Sequence, residues 1–250
     1  MRVANLYGCS LRALTLALLA LAASACASLA PRPVPALPAV RWPGPAEVRA
    51  VAIELTGDGG WSRIDRHLAA QLAAAGVELT SLNSLRYFWR RRTARELGAA
   101  VAALIASERT RHPRAPVVLL GYSMGADLVP FAFNRLPDAA RAPVRLVVAL
   151  NPAADAVLEF HLSQWWDEVV GPTYPTAPEF RRAARSVAVV SVCGRDDPDA
   201  ACEGGPAGAS GAPQSVSVAG DHGFRGHFRE LDGALEAALA RGLGPARGRP

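Results

Sequence analysis

Three short segments carry residue types that together can break an ester bond. The first is Gly121-Tyr122-Ser123-Met124-Gly125, a G-x-S-x-G sequence entered from the apolar run Val117–Leu120 and left through a helical pattern from Met124 to Leu136. A strand-to-helix turn this tight needs glycine two residues either side of the serine, and it thrusts the hydroxyl outward at the helix N-terminus, where developing negative charge is favoured. A serine hydroxyl is a weak nucleophile until a base removes its proton and an acid holds that base. In a chain of this kind the acid and then the histidine follow the serine in sequence. After the apolar run Val187–Val192 comes Cys193-Gly194-Arg195-Asp196-Asp197-Pro198-Asp199, and after Ser215–Val218 comes Gly220-Asp221-His222-Gly223-Phe224. Asp197, three residues past the glycine, is the favoured acid, with Asp196 the alternative. His222 is the favoured base, because it follows a strand directly while His227 falls in the next helical pattern. Each residue alone reads equally well as a solvated loop position; three in order, each at the end of its own strand, do not.

A tetrahedral oxyanion needs two backbone N–H donors. One is expected from Met124, and the other from the glycine-rich Leu55-Thr56-Gly57-Asp58-Gly59-Gly60-Trp61, at Asp58 or Gly59. Asp127, Tyr122 and His161 are candidates for substrate contact. Asp58 and Asp127 both stand near the expected acyl site, where a carboxylate would favour an ester bearing a cationic amine. The plainer reading has Asp127 tying down a neighbouring loop and Asp58 capping a helix. His67 and His112 are assigned no role, and Arg90, Arg91 and Arg92 read as a solvated helix end.

The elements that must position these residues alternate. Val48–Leu55, Val77–Leu82, Val117–Leu120, Leu146–Leu150, Val187–Val192 and Ser215–Val218 read as strands. Helices are expected over Ser62–Ala75, Thr93–Ser107 with Thr93 as N-cap, Met124–Leu136 and Phe224–Ala240. Continuous apolar strands separated by helices make an α/β protein with a mostly parallel sheet covered on both faces. The period breaks between Pro152 and Arg185, a stretch with Trp165 and Trp166 that reads as an insertion over the strand ends. Residues 26–48, studded with prolines from Pro31 to Pro45, read as a linker, and 242–250 as a frayed tail. One domain over 49–241 remains.

Composition narrows the chemistry. All 27 basic residues are arginine, so Schiff-base catalysis, a Walker-A loop and a Ser-Lys dyad are excluded. The net charge of +5 includes Arg2 and Arg12 of the leader, and no nucleic-acid motif accompanies it. No metal-ligand spacing occurs, and no cofactor is expected. The leader itself pairs those arginines with the apolar run Leu14–Ala23, too short to span a membrane, and with Ala23-Ser24-Ala25. Cleavage after Ala25 and lipidation of Cys26 both fit, and either predicts a periplasmic, oxidising location. Two cysteines remain in the domain, and Cys193 and Cys202 are expected to form a disulfide.

Gly121 to Asp127 with Pro130-Phe131 and Asn134-Arg135-Leu136-Pro137 resembles the VirJ/AcvB family of exported bacterial proteins. Leu55 to Trp61, Ser84-Leu85-Arg86-Tyr87-Phe88-Trp89 and Glu159-Phe160-His161 are similar to further signatures of that family. The resemblance implies an α/β-hydrolase fold, with the insertion following the sixth strand of that fold. For some members it implies a link to virulence and type IV secretion, and for longer members hydrolysis of aminoacylated phosphatidylglycerol. Gly223 stands where a second histidine would be expected beside His222. Three functions follow as expectations: an esterase on a lipid-borne ester that meets the phospholipid headgroup, an esterase on a soluble ester, and a non-catalytic partner of secretion-system proteins.

Overall fold

The computed structural model describes residues 32–34, 36–159, 171–202 and 212–245. Their centre is an eight-stranded sheet. In chain order its strands are β1 (Arg32–Val34), β2 (Ala39–Arg41), β3 (Ala50–Leu55), β4 (Val77–Leu82), β5 (Val117–Tyr122), β6 (Val144–Leu150), β9 (Ala188–Gly194) and β10 (Gln214–Val218). Across the sheet they run β1-β2-β4-β3-β5-β6-β9-β10. The six from β4 to β10 are parallel, and β2 and β1 close one edge antiparallel.

Strand alternation decides which face each side chain supplies. Val51, Ile53, Leu55, Val147 and Ala149 point to one side, where they pack on α3 (Ala94–Arg111), α4 (Met124–Asn134) and α6 (Ala177–Ala184). Ala50, Ala52, Leu146, Val148 and Leu150 point to the other, against α1 (Arg63–Ala74) and α7 (Phe228–Leu243). Short helices α2 (Ser84–Tyr87) and α5 (Asp138–Arg141) complete the connections. Both faces are therefore largely apolar, which is why the central strands read as mostly hydrophobic runs. Thr93 caps α3 in a reciprocal capping box with Glu96, and the helix runs one turn beyond the sequence expectation, to Arg111.

Two expectations are corrected. Residues 32–34 and 39–41 are strands, not spacer: Ala39 and Val40 are buried, and β2 pairs with β4 from Ala39 opposite Leu82 to Arg41 opposite Thr80. Proline is compatible with such an edge, where one row of N–H groups has no partner strand. The closing helix starts at Phe228, not Phe224; Phe224 sits in the preceding turn with φ 52°, fully buried. The break after β6 contains an antiparallel hairpin, β7 (Asp155–Val157) with β8 (Thr173–Pro175), leading into α6. Residues 160–170, with His161, Trp165 and Trp166, lie outside the described residues, as do the leader and the tail 246–250.

Candidate active site

The parallel strands deliver their loops to one edge of the sheet, and the site is assembled there. Ser123 joins β5 to α4 with φ 53° and ψ −126°, a conformation that costs a non-glycine residue about 1–3 kcal/mol. The surroundings hold it there. Its N–H donates to the Leu150 carbonyl at 2.9 Å, and its carbonyl accepts from Ala126 and Asp127. A methyl group on Gly121 would collide with the Gly125 carbonyl, and one on Gly125 with the Leu55 carbonyl. Both glycines of the motif are thus required by close backbone approach, the second letting α4 start directly against the end of β3.

His222, from the loop after β10, places Nε2 2.8 Å from Ser123 Oγ and Nδ1 2.7 Å from Asp197 Oδ2. A carboxylate only accepts, so Nδ1 carries the hydrogen and Nε2 is left to accept from the serine hydroxyl. The Asp197 side chain is 1% exposed and that of His222 46%, so the relay runs from a buried anion to an accessible hydroxyl. Asp196, the alternative acid, is exposed, and its backbone N–H donates to Gly220; it does not reach the imidazole. The adjacent-position ambiguity is resolved by a turn in which Asp197 N–H donates to the Gly194 carbonyl. Cys193 and Cys202 are joined in a disulfide around this turn, with Cα atoms 6.1 Å apart.

Loop 56–61 passes beside the serine: a Cβ on Gly57 would stand 3.4 Å from Ser123 Cβ and 3.3 Å from the Tyr122 ring. Gly60 N–H donates back to the Gly57 carbonyl, which makes Asp58 and Gly59 the central pair of a turn. Gly60 N–H is spoken for, so Asp58 and Gly59 stay as the candidate donors opposite Met124. Met124 is the first residue of α4, where an N–H has no intrahelical acceptor.

The other expected contacts are engaged within the protein. Tyr122 packs on the His222 ring at 5.7 Å and its hydroxyl donates to the His222 carbonyl at 3.2 Å. Burial, with nearby carboxylates, pushes its phenol well above the usual range. Asp127 is buried, and its Oδ1 accepts from Ala153 N–H at 2.6 Å, holding down the chain after β6. Desolvation pushes its carboxyl well above the usual range, which favours the neutral form. The substrate-contact assignment for Asp127 gives way to the plainer one, a tie to a neighbouring loop. His67 pairs with Asp232 and His112 with Glu78, both away from the serine. No group of three metal-ligating side chains occurs among the described residues.

One residue of the site carries no sequence motif. Asn151, directly after β6, is buried at φ 50°, donates through Nδ2 to the His222 carbonyl at 2.7 Å, and accepts at Oδ1 from Gly194 N–H at 2.6 Å. It therefore bolts the histidine loop to the loop of the acid.

No curated protein matches the chain. Solved structures do match, at identities that speak for the fold alone. Est1E from Butyrivibrio proteoclasticus matches with a TM-score of 0.58 at 14% identity, over 86% of this chain and 98% of that one. YbtT, a type II thioesterase from the yersiniabactin pathway, matches with a TM-score of 0.55 at 16% identity, over 84% and 100%. An alpha-beta serine hydrolase homologue from Coxiella burnetii matches with a TM-score of 0.53 at 15% identity, over 84% and 96%. The sheet order, the strained serine turn and these neighbours identify an α/β-hydrolase fold, and the model of the bacterial virulence protein family VirJ matches residues 49–242. The chain belongs to the VirJ family.

Proposed function

We propose that this chain is an exported serine ester hydrolase, carried by the Ser123–His222–Asp197 hydrogen-bonded relay. His222 Nε2 takes the Ser123 proton as Oγ attacks the ester carbonyl, and the imidazolium is held by Asp197. The N–H groups of Met124 and of Asp58 or Gly59 receive the oxyanion. His222 then protonates the leaving alcohol, and water, deprotonated by the same nitrogen, releases the acid from Ser123. No metal or cofactor takes part in this sequence. Non-catalytic binding of secretion-system proteins would not need a strained serine aligned with a histidine and a buried acid.

The finer reading is an ester carried on an anionic phospholipid, with aminoacyl-phosphatidylglycerol as the leading candidate. Its support is a cavity of about 510 Å³ lined by Leu85, Arg86, Tyr87, Trp89, Arg90 and Arg92. The cavity borders the oxyanion-side loop, since the Arg86 guanidinium lies over the Trp61 ring at 5.7 Å. Arg86 and Arg90 have no carboxylate partner among the described residues, and a phosphodiester complements them. The soluble-ester reading is favoured by Asp127, whose burial leaves Asp58 as the carboxylate available to an ammonium group. Incubation of the domain with lysyl- and alanyl-phosphatidylglycerol beside neutral short-chain esters separates the two. Amino-acid release that is absent in Ser123→Ala supports the lipid reading; turnover of neutral esters alone overturns it.

A further inference from the structure

The strand entering the oxyanion-side loop carries, one residue before its end, a buried acid that the hydrolytic relay does not use. Glu54, fully buried in β3, lies on the face that packs against α1, between Ser81 of β4 and Leu120 of β5. Asp65, in the first turn of α1, is also fully buried, and its charge helps raise the Glu54 carboxyl. All but one junction of this cluster has an evident donor. Trp42 Nε1 donates to Ser81 Oγ at 2.7 Å, and Ser81 in turn donates to Glu54 Oε2. The Ser62 N–H and hydroxyl both donate to Asp65 Oδ2 at 2.6 Å. Glu54 Oε1 and Asp65 Oδ1 are left buried without a donor.

One proton satisfies both orphan oxygens. We infer that Glu54 is protonated, donates through Oε1 to Asp65 Oδ1, and thereby acts with Asp65 as a positioning pair that fixes the oxyanion-side loop between β3 and α1. The proton belongs on Glu54 because Asp65 has two donors of its own at Oδ2, while burial and the Asp65 charge push the Glu54 carboxyl well above its usual range. The groups facing the pair are few. β4 supplies the Ser81 hydroxyl, the residue after β2 the Trp42 indole, and β5 the Tyr122 phenol, which feels the Asp65 charge. No arginine or histidine is among the influences on Glu54. Loss of the shared proton would leave two carboxylates in contact without water, pushing apart the two stems of the loop that carries Asp58 and Gly59. The pair thus sets an upper pH limit on the oxyanion side of the site.

The activity arm of the test rests on the hydrolase reading; the melting arm does not. Glu54→Gln keeps a donor toward Asp65 and an acceptor for Ser81 but cannot ionise. It should keep kcat/KM within about twofold at the wild-type pH optimum and lose the high-pH limb of the wild-type profile, which falls about tenfold per pH unit. Glu54→Leu, with no donor, should lose activity at every pH. Because the native carboxyl holds a proton that the unfolded chain releases, wild-type stability should decline as pH rises from the ordinary carboxylate range to the raised value. Tm should follow that decline in the wild type and stay flatter in Glu54→Gln. Asp65→Asn, whose amide donates to Glu54, should flatten both curves as well and serves if Glu54→Gln does not fold. An unchanged high-pH limb in a folded variant, or identical Tm–pH curves for wild type and variants, overturns the inference. If no ester is turned over, the Tm curves decide it alone.

Discussion

His222 is held from three directions, and only one of them was visible in the sequence. The acid at Nδ1 follows from motif order, because strand, turn and acidic residue occur together in one segment. The hold on its backbone carbonyl does not, because Tyr122 reaches it from the end of β5 and Asn151 from just after β6, about seventy to a hundred residues away in the chain. Nothing near Asn151 in sequence marks it, beyond a side chain type that tolerates a positive φ. Glu54 was legible in principle, as a lone acid inside Ala50-Val51-Ala52-Ile53-Glu54-Leu55, but its partner comes from a helix cap. Asn151→Gly keeps the backbone conformation and removes both side-chain bonds. The variant should lower kcat by about a hundredfold through misplacement of the imidazole, with KM little changed. It should also destabilise the fold by about 1–3 kcal/mol, because Gly194 N–H is left buried without an acceptor. Steady-state kinetics beside denaturant unfolding measure the two effects, and a variant with wild-type kcat would remove Asn151 from the positioning of His222.

Elements with strong period were readable, and those held by tertiary pairing were not. The strands β3, β5, β6 and β9 are largely apolar runs because helices cover both faces, so burial itself writes the pattern, while the edge strand β10 alternates. β1, β2, β7 and β8 are three residues each and are stabilised by the strand they pair with rather than by their own sequence. The turn after β9 is a different case, since its conformation is fastened covalently. Cys193 ends inside β9 and Cys202 lies past Asp197, so the bridge closes a loop around the acid. Loop entropy puts its contribution at about 2–3 kcal/mol. A Cys193→Ser/Cys202→Ser variant should unfold at correspondingly lower denaturant with an unchanged m-value, and should lose activity before it loses helix signal. Equal midpoints for variant and wild type would show that the turn holds without the bridge.

At the scale of the whole molecule, every proposed participant comes from the carboxyl end of a parallel strand: β3 for the oxyanion-side loop, β5 for Ser123, β6 for Asn151, β9 for Asp197 and β10 for His222. The two-faced core fixes the strands, and the strands fix the relay to within hydrogen-bonding distance before any substrate arrives. The arginine-lined cavity lies beside the oxyanion-side loop, and the hairpin follows β6, so the proposed substrate contacts and the proposed relay come from different loops. The central claim is that this frame activates Ser123, and covalent labelling by a fluorophosphonate tests it without knowledge of the substrate. The wild-type protein should gain one phosphonyl group, located on Ser123 by peptide mass analysis, and Ser123→Ala should gain none while melting within a few degrees of wild type. A folded wild-type protein that stays unlabelled, or is labelled equally in Ser123→Ala, would contradict the account.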